Sequence, residues 1–326
     1  MRYLSLIMVG LAMLLLLPGS ASASAPAVGT IQNFGPNLRA DCPNPEGIAI
    51  DPLGNVYAGS FSPSPVGAIC VIDRRGMLVD RIPIAPGPAG VTTLLGELFE
   101  AGQGLYVVDF ADGVAPHGRL MRVDPATHQV TTLAAGFAAA NAIAQDRHRD
   151  LFVSDSFAGT ITKVAPDGSS SAVWFQSALL QPNGFPPFGA NGLAFDGNQG
   201  FLYVANTSTD AVYRIQVLSD GSAGKIELFA RGSGGGQLDG ADGIMFDVRG
   251  NLYVCANQAN EIQVLSPDGR LVQRYAGAGA NALDFPASLV FKGRDLYVTD
   301  TSAFTGGVNS RISVLTTPNP GLPLRP

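Results

Sequence analysis

A short apolar strand that opens on a small-residue turn, followed about ten residues later by an aromatic strand, recurs six times along this chain. The opening turns read P-E-G-I at Glu46, P-A-G-V at Ala89, A-N-A-I at Asn141, A-N-G-L at Asn191, A-D-G-I at Asp242 and P-A-S-L at Ala287. The second strands begin at Asn55, Leu105, Leu151, Leu202, Leu252 and Leu296, five of them as LYV or LFV variants and the first as NVY. Successive turn positions lie 43, 52, 50, 51 and 45 residues apart. That period is long enough for one four-stranded blade per repeat.

Within the unit that starts at Asp242, GIMF is a short strand and the next four residues, Asp247 to Gly250, form a turn. NLYVCAN and EIQVLS follow as strands, SPDG is a strong turn signal, and RLVQRYA closes the unit. No 3.6-residue periodicity interrupts this order, so the chain reads as all-β. The second repeat is the irregular one. An LLGELFEAGQG insertion stretches its step from turn to aromatic strand to sixteen residues, from 89 to 105. The sixth repeat stops after RISVLTT, one strand short, while GTIQNF (Gly29 to Phe34) resembles the closing strands of other units. The expectation is a six-bladed β-propeller whose last blade is completed by this N-terminal strand, with five or seven blades as the alternative counts. Closure by both termini leaves no unpaired blade edge. The propeller spans residues 24–316 and is followed by a Pro-rich tail, 317–326, without a strand pattern.

In such a ring the turns entering the innermost strands cluster at one mouth of the central channel. The slot then carries Glu46, Ala89, Asn141, Asn191, Asp242 and Ala287: four oxygen-bearing side chains and no Lys or Arg. Taken singly, Asn141, Asn191 and Asp242 read as ordinary turn residues that bond their own backbone. Glu46 does not, because Glu is not a turn former. Jointly, two carboxylates and two amides suit a hard divalent cation, Ca²⁺ before others. The three histidines, at 117, 128 and 148, have no zinc-ligand spacing. The aromatics Tyr57, Tyr106, Phe152, Tyr203, Tyr253 and Tyr297 share one register and read as packing between blades. Asp51 and Asp247 read as turn residues.

Residues 1–23 carry a positive start, an apolar run from Leu4 to Leu17, a Pro-Gly break and A-S-A, the pattern of a secretory signal peptide cut after Ala23. The mature chain is therefore expected to be secreted or periplasmic, monomeric, and without a membrane segment once the leader is removed. A net charge of -6 with no basic run argues against nucleic acid as a partner and leaves a small-molecule substrate. Cys42 and Cys70 flank the first blade and are candidates for a disulfide, left open because spacing does not fix their separation; Cys255 reads as a buried thiol.

The succession PEGIAID, ANAIAQD, ANGLAFD and ADGIMFD resembles the senescence marker protein/gluconolactonase family of six-bladed propellers. The resemblance implies a metal-dependent hydrolase of lactones or related esters, with Glu46, Asn191 and Asp242 as metal ligands and Asn141 as a substrate-side amide. Asp242 is then also the residue that handles the proton in catalysis. The turns PEGIAIDPLGNVY and LSPDGRLV resemble NHL-repeat propellers too, which implies as an alternative a non-catalytic binding propeller. A pathway-specific isomerase or cyclase using the same metal is a third reading.

Overall fold

Alternating apolar strands separated by Gly-rich turns produce six antiparallel sheets of four strands each in the computed structural model, which describes residues 26–323. The leader read on residues 1–23 lies outside the described residues. Among those residues the only helical elements are four single 3₁₀ turns. In five sheets the strands lie in chain order; the sixth runs 286–292, 295–300, 311–316 and then back to Ile31–Phe34. Ile31 pairs with Leu315 and Phe34 with Ile312, and Gly29 adds a backbone bond to Thr316 at 2.8 Å. The ring is thus a six-bladed propeller closed by the N-terminal strand, as the repeat count implies.

The second blade corrects the sequence reading. LLGELFE is no insertion: Leu94–Glu100 is itself the innermost strand, paired with Gly104–Asp109 through Leu94 opposite Asp109 and Glu97 opposite Val107. Leu95, not Ala89, therefore occupies the slot of that blade, and its step to the aromatic strand at Leu105 matches the other repeats. The P-A-G-V turn lies upstream, in the loop that enters the blade.

The core is divided by the blades rather than concentrated at one centre. Six apolar clusters each span one junction between neighbouring sheets. Phe152 and Ile161 of the third blade, for example, pack with Leu202, Val204 and Tyr213 of the fourth. The repeated aromatics act here as expected: Phe152 meets Phe195 edge-on at 5.1 Å and Tyr203 meets Phe246 at 4.8 Å. The junction that closes the ring, between the first and sixth blades, holds Ile48, Ala58, Val290 and Ile312 together with the Cys42–Cys70 disulfide, whose Cα atoms are 6.1 Å apart. Cys255 is a buried free thiol.

Two chemical devices bring the innermost strands close enough to form a channel. A Cβ at Gly47 would run into the carbonyl oxygen of Leu95, and one at Gly192 into that of Asp242, so glycine after the slot residue lets adjacent blades approach backbone to backbone. Where that glycine is replaced, a hydroxyl bridges the gap instead. Ser154 accepts from the Ala142 N–H at 2.9 Å and donates to the Asn191 carbonyl at 2.9 Å; Thr299 accepts from Ser288 at 3.0 Å and donates to the Glu46 carbonyl at 2.7 Å.

The tail is better ordered than its composition suggests. Thr317 is buried, its N–H bonding the Arg294 carbonyl at 2.8 Å, Gly321 bonds Gly293, and Leu322 bonds the Phe246 carbonyl at 2.8 Å. Asn319 donates to Asp247 at 3.0 Å, and Leu322 packs into the apolar junction of the fourth and fifth blades. The described part of the tail is a strap across the channel end remote from the slot.

Candidate metal centre in the channel mouth

The slot residues all stand at the first or second position of their innermost strands, where a bulge interrupts the pairing: the register shifts between Pro45 and Ile48, Ala140 and Ile143, Ala190 and Leu193, and Ala241 and Ile244. A bulge re-aims a side chain that would otherwise continue the alternation. Glu46, Asn141, Asn191 and Asp242 are all buried and together line the floor of one cavity of about 250 Å³. Leu95 and Ala287 complete the floor on the remaining two blades. The four side chains singled out from the sequence are thus brought to one place.

On the third, fourth and fifth blades the residue just after the second strand orients the slot side chain of its own blade. Asn141 donates its amide to Ser156 Oγ at 3.0 Å, and Asn191 donates to Thr207 Oγ1 at 2.9 Å. Both hydroxyls already donate onward, Ser156 to the Ala190 carbonyl at 2.7 Å and Thr207 to the Ala241 carbonyl at 2.9 Å. Each hydroxyl has spent its only proton, so it must accept from the asparagine, and the NH₂ must face it. Both amide oxygens are left toward the channel. On the fifth blade Asn257 plays the same part, donating to Asp242 Oδ2 at 2.9 Å and leaving Oδ1 free.

Glu46 Oε2 and Asp242 Oδ1 are buried and have no hydrogen-bond partner in the protein. Such orphaned acceptors are costly unless something cationic or protic meets them. Burial pushes the Asp242 carboxyl up to about 7, against the hydrogen bond from Asn257 that favours its charge. Burial also raises Glu46 well above the usual carboxylate range, and the negative charges of Asp242 and Glu97 raise it further. Two carboxylate oxygens without partners beside two inward amide oxygens form an all-oxygen donor set that fits a hard divalent cation. Among the described residues no three His, Cys, Asp or Glu side chains gather as metal ligands, so the amides are indispensable to any such site.

Glu97 escaped the sequence reading. It sits one ring below the slot, at the register of Ile48, Ile143, Leu193, Ile244 and Leu289, and is the one polar side chain among five aliphatic ones. This ring lines the deeper part of the channel, a cavity of about 340 Å³ that ends at Leu322 and Pro323. Both Glu97 carboxylate oxygens are buried without partners, and burial raises its carboxyl well above the ordinary range. The signal that could have found it is the x-G-E-L segment of LLGELFE, once Leu95-Gly96 is aligned with Glu46-Gly47. Asp155 and Asp300, the last residues of their second strands, are structural: Asp155 accepts from the Ala138 and Ala139 N–H groups, and Asp300 is held by Arg311 at 3.1 Å and by Ser313. Asp51 and Asp247 close their turns as expected, accepting from Asn55 and Asn251. His117 and His128 pair with Asp112 and Asp80 at the surface, away from the channel.

A propeller with an oxygen-lined slot at one mouth of its channel defines the class, and one stretch of the chain matches the model of a known family. Residues 187–302, which include Asn191 and Asp242, match the SMP-30/Gluconolactonase/LRE-like region. The chain therefore carries a region of that family, in agreement with the resemblance read from its motifs. A 6-deoxy-6-sulfogluconolactonase from Pseudomonas putida is 31% identical over 118 residues, and the match spans 34% of this chain but only 38% of that protein. Among solved structures, a gluconolactonase from Xanthomonas campestris superposes with a TM-score of 0.63 at 18% identity, covering 91% of this chain and 99% of its own. A calcium-binding regucalcin from Agrobacterium tumefaciens gives 0.61 at 16% identity, covering 89% and 95%. At such identities the likeness is one of fold.

Proposed function

We propose that this chain is an exported, metal-dependent hydrolase of lactones or related esters. The observation that carries the reading is the pair of buried carboxylate oxygens without partners, Glu46 Oε2 and Asp242 Oδ1, in the same cavity as two asparagines whose oxygens are turned inward. Glu46, Asn191 and Asp242 would hold the cation, Ca²⁺ by the chemistry of the donors, and a bound cation would supply Lewis-acid polarisation of the ester carbonyl. Asp242 is suited to the proton. Its Oδ2 is tethered by Asn257, which fixes the carboxylate at the channel mouth where it can take a proton from the attacking water. Asn141, held by Ser156, presents an acceptor to the water or to a substrate hydroxyl. Hydrolysis adds the water oxygen to the acyl carbon, breaks the ring C–O bond and yields a hydroxy acid. The family region and the lactonase relative support this reaction class. The buried Cys42–Cys70 disulfide supports export, since such bonds persist in oxidising compartments.

The test is divalent-metal content of the purified protein together with acid release from a panel of lactones. Stoichiometric calcium with calcium-dependent acid release is expected. Bound calcium without hydrolysis of any lactone would leave the binding-propeller alternative suggested by the NHL-like turns.

A further inference from the structure

We infer that the mouth above the slot selects an apolar lactone or ester, one whose body is hydrocarbon or aryl, over a polyhydroxylated or anionic sugar lactone; the inference rests on the hydrolase reading. The floor of the 250 Å³ cavity is polar, but its walls are carbon. Five of the chain's 17 phenylalanines, Phe61, Phe185, Phe188, Phe285 and Phe304, line this one mouth, with Phe110 and Phe157 behind them; Phe61 and Phe110 also pack against the junction of the second and third blades, whereas the others belong to none of the six junction clusters. On one side Phe110 bridges Phe61, Phe157 and Phe188, with ring centroids 5.5–6.4 Å apart. On the other, Phe185 stacks on Phe304 with centroids 6.3 Å apart and planes 27° apart, and Phe285 meets Phe304 edge-on at 4.7 Å.

Phe185 and Phe304 are 67% and 64% exposed, an unusual state for rings that protrude side by side next to a polar floor. They come from loops of different blades, between the third and fourth and within the sixth, yet meet over one opening. The acceptors on the floor, such as Asn141 and Asn257, lie beside the slot, while the hydroxyls that could donate to a sugar are committed elsewhere. Thr301 Oγ1 donates to the Phe285 carbonyl at 3.0 Å and Thr207 Oγ1 to the Ala241 carbonyl at 2.9 Å, so neither hydroxyl has a proton left for a ligand. Among the described residues no Lys or Arg lines the cavity, and a sulfonate, phosphate or carboxylate on the substrate would find no cationic side chain. A hydroxylated ring would surrender its water shell to carbon walls, whereas an apolar ring gains from the same burial.

The experiment compares initial rates, with calcium, for dihydrocoumarin and γ-decalactone against glucono-1,5-lactone. In parallel, saturation-transfer NMR measures binding of the hydrolysis-inert lactam of dihydrocoumarin. We expect kcat/KM at least about 100-fold higher for the apolar lactones, and a loss of about tenfold on them in Phe185→Ser and Phe304→Ser, whose exposed positions spare the fold. Faster hydrolysis of gluconolactone overturns the specificity while leaving the hydrolase reading intact. If no lactone is hydrolysed but the lactam binds and Phe304→Ser weakens it, the apolar mouth stands and the hydrolase reading falls. Neither hydrolysis nor lactam binding overturns both.

Discussion

Glu97 stands one ring below Glu46 on the adjacent blade, its Cγ close to where a Cβ on Gly47 would fall, and its carboxylate adds to the burial and to Asp242 in raising the Glu46 carboxyl above the usual range. The second blade thus places a carboxylate where every other blade places an aliphatic side chain. Replacing it with Leu completes the apolar ring and removes two buried acceptors that have no partner. An unsatisfied buried polar group costs about 1–3 kcal/mol, so Glu97→Leu should raise the melting temperature of the metal-free protein by about 2–6 °C. A lower melting temperature would mean that Glu97 meets a partner in solution.

The hydroxyls behind the asparagines have a separate role. Thr207→Val keeps the shape of the side chain but removes the acceptor that fixes the Asn191 amide. Groups that orient a metal ligand are worth roughly 10–100-fold in affinity, and a calcium titration of this variant should fall in that range with little change in fold. Unchanged affinity would show that Asn191 needs no such hold.

In the metal-free chain, folded Asp242 keeps its proton up to about 7, and Glu46 is raised as well. The unfolded chain releases these protons near the ordinary carboxylate range. Between those limits the folded state binds more protons, so stability from these groups is full at low pH and is lost as pH rises through about 7. Melting temperatures in chelator should therefore fall between pH 5 and pH 8, and calcium should offset the fall at the upper end. A flat profile in chelator would contradict the raised carboxyls.

Both ends of the described residues are tied into the ring, by different means. Deleting Gly29 to Phe34 strips the sixth blade of its outer strand and exposes the edge of the 311–316 strand, which should cause aggregation or a large drop in melting temperature. Ending the chain after Thr316 should also destabilise it, by a smaller amount, because it removes the Thr317, Asn319 and Leu322 bonds across the channel exit. Equal melting of this truncation and the full mature chain would mean that the strap contributes nothing.

Much of this architecture was legible because each blade repeats the same local chemistry. Period-two strands and Gly-bearing turns recur at a spacing that only a blade satisfies, and the missing last strand has its match at the other end of the chain. Glu46, Asn141, Asn191 and Asp242 could be found for the same reason, as deviations within one repeated slot. Leu95 could not, since an apolar residue in the slot looks like any other strand residue, and P-A-G-V upstream offered a better textual match. That misalignment also hid Glu97. The strap was missed because its hold comes from backbone bonds and one leucine rather than from a strand pattern, and the phenylalanine mouth because its rings come from loops of different blades that only the closed ring brings together.

Calorimetric titration of metal-stripped protein with calcium, wild type beside Glu46→Gln and Asp242→Ala, tests the channel-mouth assignment most directly. One calcium per wild-type chain is expected, with affinity lowered at least about 100-fold in each variant while the metal-free melting temperature is kept or raised, since each change relieves a buried carboxylate. Calcium binding of wild-type strength in both variants, or none in the wild type, would contradict it.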